Sequence, residues 1–277
     1  MASGTLAAFG LTLLLTAAAV TALLLATFAI ALTAGRFNVV DVSWGLGFAV
    51  AAVVALAASA GHGAGLRRDL LAAATVVWGL RLAAYIGWRS RGQGEDPRYA
   101  EMLSKAPPGR RATYALRKVF LAQAGLIWLI SVPVQAGMFE RGAPPALIWI
   151  GLAIWLCGLA FESAGDWQLA RFKADQAHRG MIMDRGLWRY TRHPNYFGDF
   201  CMWWGLFLIS VGSWAELLTI VGPLLMTFLL TRGSGQRLTE RRMADRPQYA
   251  DYVARTSGFI PLPPKRNAAG AGPRGRA

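Results

Sequence analysis

With 277 residues, 55% hydrophobic and only 16% charged, the chain carries repeated apolar runs near the roughly 18–20 residues that cross a bilayer core. Those runs mark a polytopic membrane protein and argue against a soluble domain. The formal charge of +14 does not indicate nucleic acid, because Lys and Arg gather in loops and in the C-terminal stretch without any accompanying nucleic-acid motif.

Period-two alternation is missing, which argues against a barrel. Inside lipid the backbone must satisfy its own hydrogen bonds, so the expected fold is an all-α membrane helix bundle. Seven spans are read in chain order. The first covers about 5–34. No cation precedes Arg36, so it reads as a retained span and not a signal peptide. The second runs about 41–60, the third about 69–88, and the fourth about 117–139, ending near Pro133. The fifth runs about 145–170. The sixth and seventh, about 196–212 and 214–231, are separated by "VGSW", with Pro223 expected to kink the seventh. Beyond it, "SGQRLTERRMADRPQYADYVART" reads as one amphipathic surface helix. Residues 1–262 are expected to form a single membrane-embedded domain, and 263–277 a disordered basic tail.

Orientation follows from the loops. An external N-terminus and a cytoplasmic C-terminus put 25 of the 29 Lys and Arg residues on the cytoplasmic side. Bacterial inner membrane is the expected location. Cys157 and Cys201 lie in apolar context and read as small buried hydrophobes. His62, His178 and His193 share no ligand spacing, so no metal is expected. A dinucleotide fingerprint and the inverted repeat of a secondary transporter are also missing. The sequence leaves the oligomeric state open.

Three polar constellations fall on the expected cytoplasmic face. In "FESAGDWQLARFK", Glu162, Asp166, Leu169 and Lys173 share one helix side. Carboxylates near the end of a span are costly unless they meet cations, water or a ligand. The plainer alternative is a helix leaving the bilayer with its charges snorkelling, which suits Lys173 better than Glu162. In "RYTRHPNYFGDFCMWWG", Pro194 fits the first turn of the sixth span. Arg192 and His193 then gather at its N-terminus, where free amides already favour anions. Asn195 both donates and accepts, as recognition of an amide or ribose requires. The alternative is a basic anchor followed by an aromatic belt. In "WGLRLAAYIGWRSRGQGEDPRYAEM", Arg81, Tyr85 and Trp88 line one face, with Arg81 about two turns inside. Arg81 is either functional or neutralised by a carboxylate such as Asp41 or Glu162. "EDPRY" begins a loop whose charges pair internally or cap a cofactor pocket.

These stretches, with "RPQYADYVARTSGFIP", resemble the C-terminal domain of steroid 5-alpha-reductases over about residues 150–262. Over about 36–262 the chain resembles their uncharacterised bacterial relatives, which also carry "VDVSWGLGF" and "RGQGEDPRY". The resemblance implies a seven-span enzyme that binds NADPH and delivers hydride to a conjugated C=C bond of a sterol, isoprenoid or other lipid. By position, Asp166 and Asn195 match cofactor-contacting residues of that family, and Lys173 stands where it has an Arg. Asp199 stands for a Glu, Glu162 for an Asn, and Met181 for another cofactor-binding Arg. The cofactor set is then Asp166, Lys173, Arg192, His193, Asn195, Tyr196 and Asp199. Tyr85 is the candidate proton donor at the developing enolate, with Arg81 or Glu162 tuning it. "RHPNYFG" also resembles a segment of isoprenylcysteine carboxyl methyltransferases and phospholipid methyltransferases, which implies S-adenosylmethionine instead. A non-catalytic lipid-binding membrane protein is the third class.

Overall fold

The computed structural model describes residues 3–142 and 144–265, and its regular elements are helices. Most of the basic tail expected at 263–277 therefore lies outside the described residues. Three long helices open the chain: α1 (Ser3–Ala34), α2 (Val40–Ala58) and α3 (Gly65–Arg89). After a short α4 (Pro97–Leu103) the chain runs from Arg111 to Gly137 as α5 (Arg111–Ala115), a π-helical turn, α6 (Leu121–Ile130) and α7 (Val132–Gly137). Next come α8 (Pro145–Ala174), α9 (Pro194–Ser210), α10 (Trp214–Leu217) and α11 (Val221–Thr231), with α12 (Gln236–Met243) and α13 (Tyr249–Arg255) closing the chain.

Among the described residues six helical stretches are long and apolar enough to cross a membrane, the last being Trp214–Met243. The protein is an all-α polytopic membrane protein. Of the seven expected spans, the sixth is α9, whose 17 residues reach about 26 Å at 1.5 Å per residue. It falls at the short limit of a crossing. Leu14 is 70% and Leu218 81% exposed, an arrangement that suits contact with lipid and would promote aggregation in water. Cys157 differs from its expected burial: it is an exposed free thiol on α8.

The chain forms two compact units. The first is Met1–Leu152 with Gly205–Pro223, and the second Ala153–Trp204 with Leu224–Ala277. In the first, α2 and α3 meet backbone to backbone. A Cβ added at Gly45 would strike the carbonyl of Gly79, and one at Gly79 the carbonyl of Gly45, so only glycine permits this approach. Hydroxyls tie α1 to its neighbours: Thr27 and Ser43 Oγ are 2.7 Å apart, and Thr16 donates to Gln135 Oε1 at 2.6 Å.

The fourth expected span continues past Pro133 to Gly137. The helix breaks at Ser131 and restarts with Pro133 in its first turn, where a missing N–H costs little. The carbonyl of Trp128 is taken by Ser131 Oγ at 2.9 Å and Gln135 Nε2 at 3.3 Å. Near Pro223 the disruption precedes the proline. A 3₁₀ turn over Leu218–Ile220 separates α10 from α11, and Pro223 again stands in a first turn.

In the second unit α8 and α9 pack through Gly158 and Gly198. A Cβ at Gly158 would lie 2.5 Å from the Gly198 carbonyl oxygen, and one at Gly198 would lie 2.5 Å from the Glu162 amide nitrogen. The single amphipathic helix expected after the last span is instead two, α12 and α13. Pro247 disfavours helix at the residue before it, and Gln248 turns the chain with a left-handed φ of 65°.

Candidate functional site

The second unit gathers the two C-terminal motifs through backbone pairing across more than sixty residues. Thr191 and Ser257 form a parallel bridge. Arg192 N–H donates to the Ser257 carbonyl at 2.9 Å, and Leu262 N–H to the Tyr190 carbonyl at 3.0 Å. The Thr191 hydroxyl donates to the Phe259 carbonyl at 2.8 Å, and the Tyr252 hydroxyl to the Trp188 carbonyl at 2.6 Å. Trp188 Nε1 in turn donates to the Gly165 carbonyl on α8 at 3.0 Å. "GLWRYTRHPN" is thus held between α8 and "ARTSGFIP". Burial in this packing pushes the Tyr252 phenol pKa up.

Close approach of α8 and α9 sets the polar groups. Gly165 lets Pro194 and the amide of Asn195 come within about a van der Waals contact of where its Cβ would be, at 3.1 and 3.3 Å. Glu162, Asp166 and Asp199 are 3, 4 and 8% exposed. Two touching helices thus carry three buried carboxylates, a placement that is costly unless each is paired. The Asn195 side-chain oxygen on α9 is also buried, and it accepts no hydrogen bond among the described residues. An orphaned buried acceptor of this kind costs about 1–3 kcal/mol unless a ligand or water supplies the donor.

Arg192, read in the sequence as part of an anion grip, is engaged within the protein. Its Nε and Nη2 both reach Glu240 Oε1 at 2.9 Å, and Nη1 donates to the Thr256 carbonyl at 2.5 Å. His193 Nε2 lies 3.1 Å from the same Oε1, and Gln236 Nε2 also donates to it at 3.1 Å. Burial pulls the His193 pKa down, and although Glu240 pulls the other way the net direction is downward. Tyr196 stacks on His193 with ring centroids 5.1 Å apart and 5° between planes. Its hydroxyl lies 3.4 Å from Thr239 Oγ1. Gly258 packs closely against this cluster: a Cβ there would come 2.7 Å from Gln236 Nε2 and 3.1 Å from Arg192 Nη2 and displace those side-chain ends. Lys173 stands exposed near the C-terminus of α8. Met181, also exposed, lies in the loop that follows.

Tyr85 and Arg81 belong to the first unit, on α3. The Arg81 and Arg89 Cζ atoms lie 5.9 and 5.4 Å from the Tyr85 ring centroid, so two cations flank this phenol. Asp41, considered as a counter-ion for Arg81, accepts from Arg98 Nη2 at 2.9 Å and from the Tyr99 hydroxyl at 2.5 Å. Burial first, and then the charge of Asp41, raise the Tyr99 pKa. Glu95 accepts the amides of Phe37 and Asn38 at 2.7 and 3.0 Å, and Asp96 caps α4 through Arg98 N at 2.7 Å. "EDPRY" therefore staples the α1–α2 corner, combining internal pairing with contacts to a distant loop.

Sequence reasoning missed Glu240 as the partner of Arg192 and His193. "LTERR" signals only a solvated helix face, and nothing local to it points to residues almost fifty positions earlier. Among the described residues no cluster of His, Cys, Asp and Glu is suited to a metal. Residues 27–256 match a family described as a protein of unknown function, DUF1295. Neither a curated protein nor a solved structure matches the chain.

Proposed function

The chain belongs to the DUF1295 family, and within it we propose a membrane-embedded, NADPH-dependent reductase of a conjugated C=C bond in a lipid substrate such as a sterol or isoprenoid. The observation that carries this reading is the orphaned Asn195 oxygen at the start of α9, on the pair of helices that also bears the buried Glu162, Asp166 and Asp199. Acceptors of that kind suit a ligand rich in hydroxyl and carboxamide donors, which describes the nicotinamide–ribose half of the cofactor. Asn195 Oδ1 would accept a carboxamide N–H, and Asp166 and Asp199 would accept ribose hydroxyls. Arg192 and His193, held by Glu240, act as positioning groups that fix the start of α9. The phosphate grip falls to Lys173.

When bound, NADPH supplies the hydride for the β-carbon. The protein's task is to stabilise the charge that then develops on the substrate oxygen and to return a proton. Tyr85 remains the candidate that the resemblance offers for that donation, with the guanidinium groups of Arg81 and Arg89 beside its ring. The location that suits such an enzyme is a bacterial inner membrane with the basic loops facing the cytoplasm.

Thermal unfolding of detergent-purified protein tests the reading. NADPH at a hundredfold excess over its Kd is expected to add about 2.7 kcal/mol of stability. Asn195→Ala and Asp166→Asn are expected to weaken cofactor affinity about tenfold each, the worth of one charge-assisted or buried hydrogen bond. Tyr85→Phe should keep the protection and lose turnover. Protection by S-adenosylmethionine alone would replace the reductase with a membrane methyltransferase, and protection by neither would leave a lipid-binding protein without catalysis.

A further inference from the structure

The side of α8 opposite Glu162 and Asp166 carries a constellation that the reductase chemistry does not use. Trp167 and Arg171, four residues apart, lie on one stripe well around the helix from the Glu162, Asp166, Leu169 and Lys173 stripe, and Asp175 follows just past the helix end. With the loop that follows α8 they wall an open cleft of about 350 Å³, lined by Trp167, Gln168, Arg171, Phe172, His178 and Arg185 among others. Its shape is fixed by the loop's own bonds. Gln168 Oε1 accepts from the Leu187 amide at 2.9 Å. Gly186 there has a left-handed φ of 58°, and any Cβ would come 2.5 Å from that same oxygen. The His178 ring stacks on Phe172 with centroids 4.4 Å apart.

Charge and position select the occupant. Arg171 and Arg185 are both exposed at the cleft. The acid in the lining, Asp175, is turned into its own loop: Oδ1 accepts the Ala177 amide at 2.9 Å and Oδ2 lies 3.4 Å from His178 Nδ1. Arg171 Cζ sits 5.5 Å above the Trp167 ring, and Trp167 is 59% exposed on a helix long and apolar enough to span the membrane. Such an exposed indole near a span's polar end marks the membrane–water boundary. Two guanidinium groups above an amphipathic ring suit a phosphate whose ester continues into apolar chains. The volume lies at the small end of ligand pockets, enough for a headgroup.

We propose that this cleft is a binding site for an anionic membrane phospholipid, with Arg171 and Arg185 gripping the headgroup phosphate and Trp167 lying along the adjoining glycerol and acyl carbons. The site is independent of the reductase reading. The test uses full-length protein in nanodiscs of neutral lipid doped with phosphatidylglycerol, with native mass spectrometry counting retained anionic lipid. Each basic group near an anionic surface contributes about 1 kcal/mol, so R171Q/R185Q is expected to weaken retention about thirtyfold. R237Q/R241Q, which removes the same charge from exposed positions on α12, is expected to leave it within about twofold. Inorganic phosphate and adenosine monophosphate are expected not to displace the lipid. Unchanged retention in R171Q/R185Q, or an equal loss in R237Q/R241Q, would overturn the site. Displacement by inorganic phosphate would overturn the lipid assignment. Loss of NADPH protection in R171Q/R185Q alone would give the cleft to the cofactor. Both arginines are exposed, so a matching unfolding midpoint verifies that each variant is folded.

Discussion

Arg98 in the first unit and Arg192 in the second each centre a motif that fastens a loop to a distant element, but they distribute the load differently. Around Arg98 three acids share it. Asp96 and Asp41 both take the guanidinium, Asp41 also takes the Tyr99 hydroxyl, and Glu95 takes two amides of the neighbouring corner. Burial opposes the charge of Arg98, yet Asp96 and Asp41 outweigh it and raise its pKa. Around Arg192 one oxygen, Glu240 Oε1, receives two guanidinium nitrogens, an imidazole and an amide. Shared loads tolerate the loss of a member. A single acceptor does not.

The largest effect is expected where both units share a device, the glycine contact between helices. Gly198→Leu drives a side chain into the Glu162 backbone. Overpacking that only a backbone shift could relieve costs about 3 kcal/mol or more. Loss of folded protein on size-exclusion chromatography is the expected result, and a monodisperse variant with the parental unfolding midpoint would remove the seam from the account. Next comes the contrast between the clusters themselves. Glu240→Gln should cost about 2 kcal/mol, because it leaves the nine-tenths-buried Arg192 uncompensated. Asp41→Asn should cost about 1 kcal/mol, since Asp96 still holds Arg98. Chemical denaturation of the two variants side by side measures the difference, and equal losses would erase the distinction.

The smallest expected effect is the pH response of His193. Its folded pKa lies below the unfolded value of about 6.5. Above that value both states are neutral there and the stability is fully present. As pH falls through it, the unfolded chain takes up a proton that the folded one resists, and stability declines toward the folded pKa. His193→Gln should flatten this part of the stability–pH curve. A parental slope in the variant would show that other groups carry it.

The helix bundle could be read from the sequence because apolar run length is a local property, although the fourth span starts at Arg111, earlier than the expected 117. The exceptions have local causes that composition hides. Pro133 does not end its span, because Ser131 and Gln135 cover the carbonyl exposed by the helix break. The C-terminal amphipathic stretch is divided at Gln248, whose backbone leaves the helical region. At the candidate site, Glu162 and Asp166 could be singled out in the sequence because carboxylates near the end of a span need a partner. The engagement of Arg192 could not be, because its partner arrives on α12 after an intervening span. Side-chain identity announces what a group can bind, and only the tertiary path decides which partner reaches it first.

The parallel bridge between Thr191 and Ser257 has a consequence for synthesis. During translation the six stretches long and apolar enough to cross a membrane among the described residues, the last ending at Met243, can leave the ribosome while "RYTRHPN" still lacks the segment around Ser257 that braces it. A nascent chain stopped short of residue 256 would carry an intact set of membrane helices with an unbraced start to α9. The brace on the start of α9 therefore closes only once the final stretch of polypeptide has emerged.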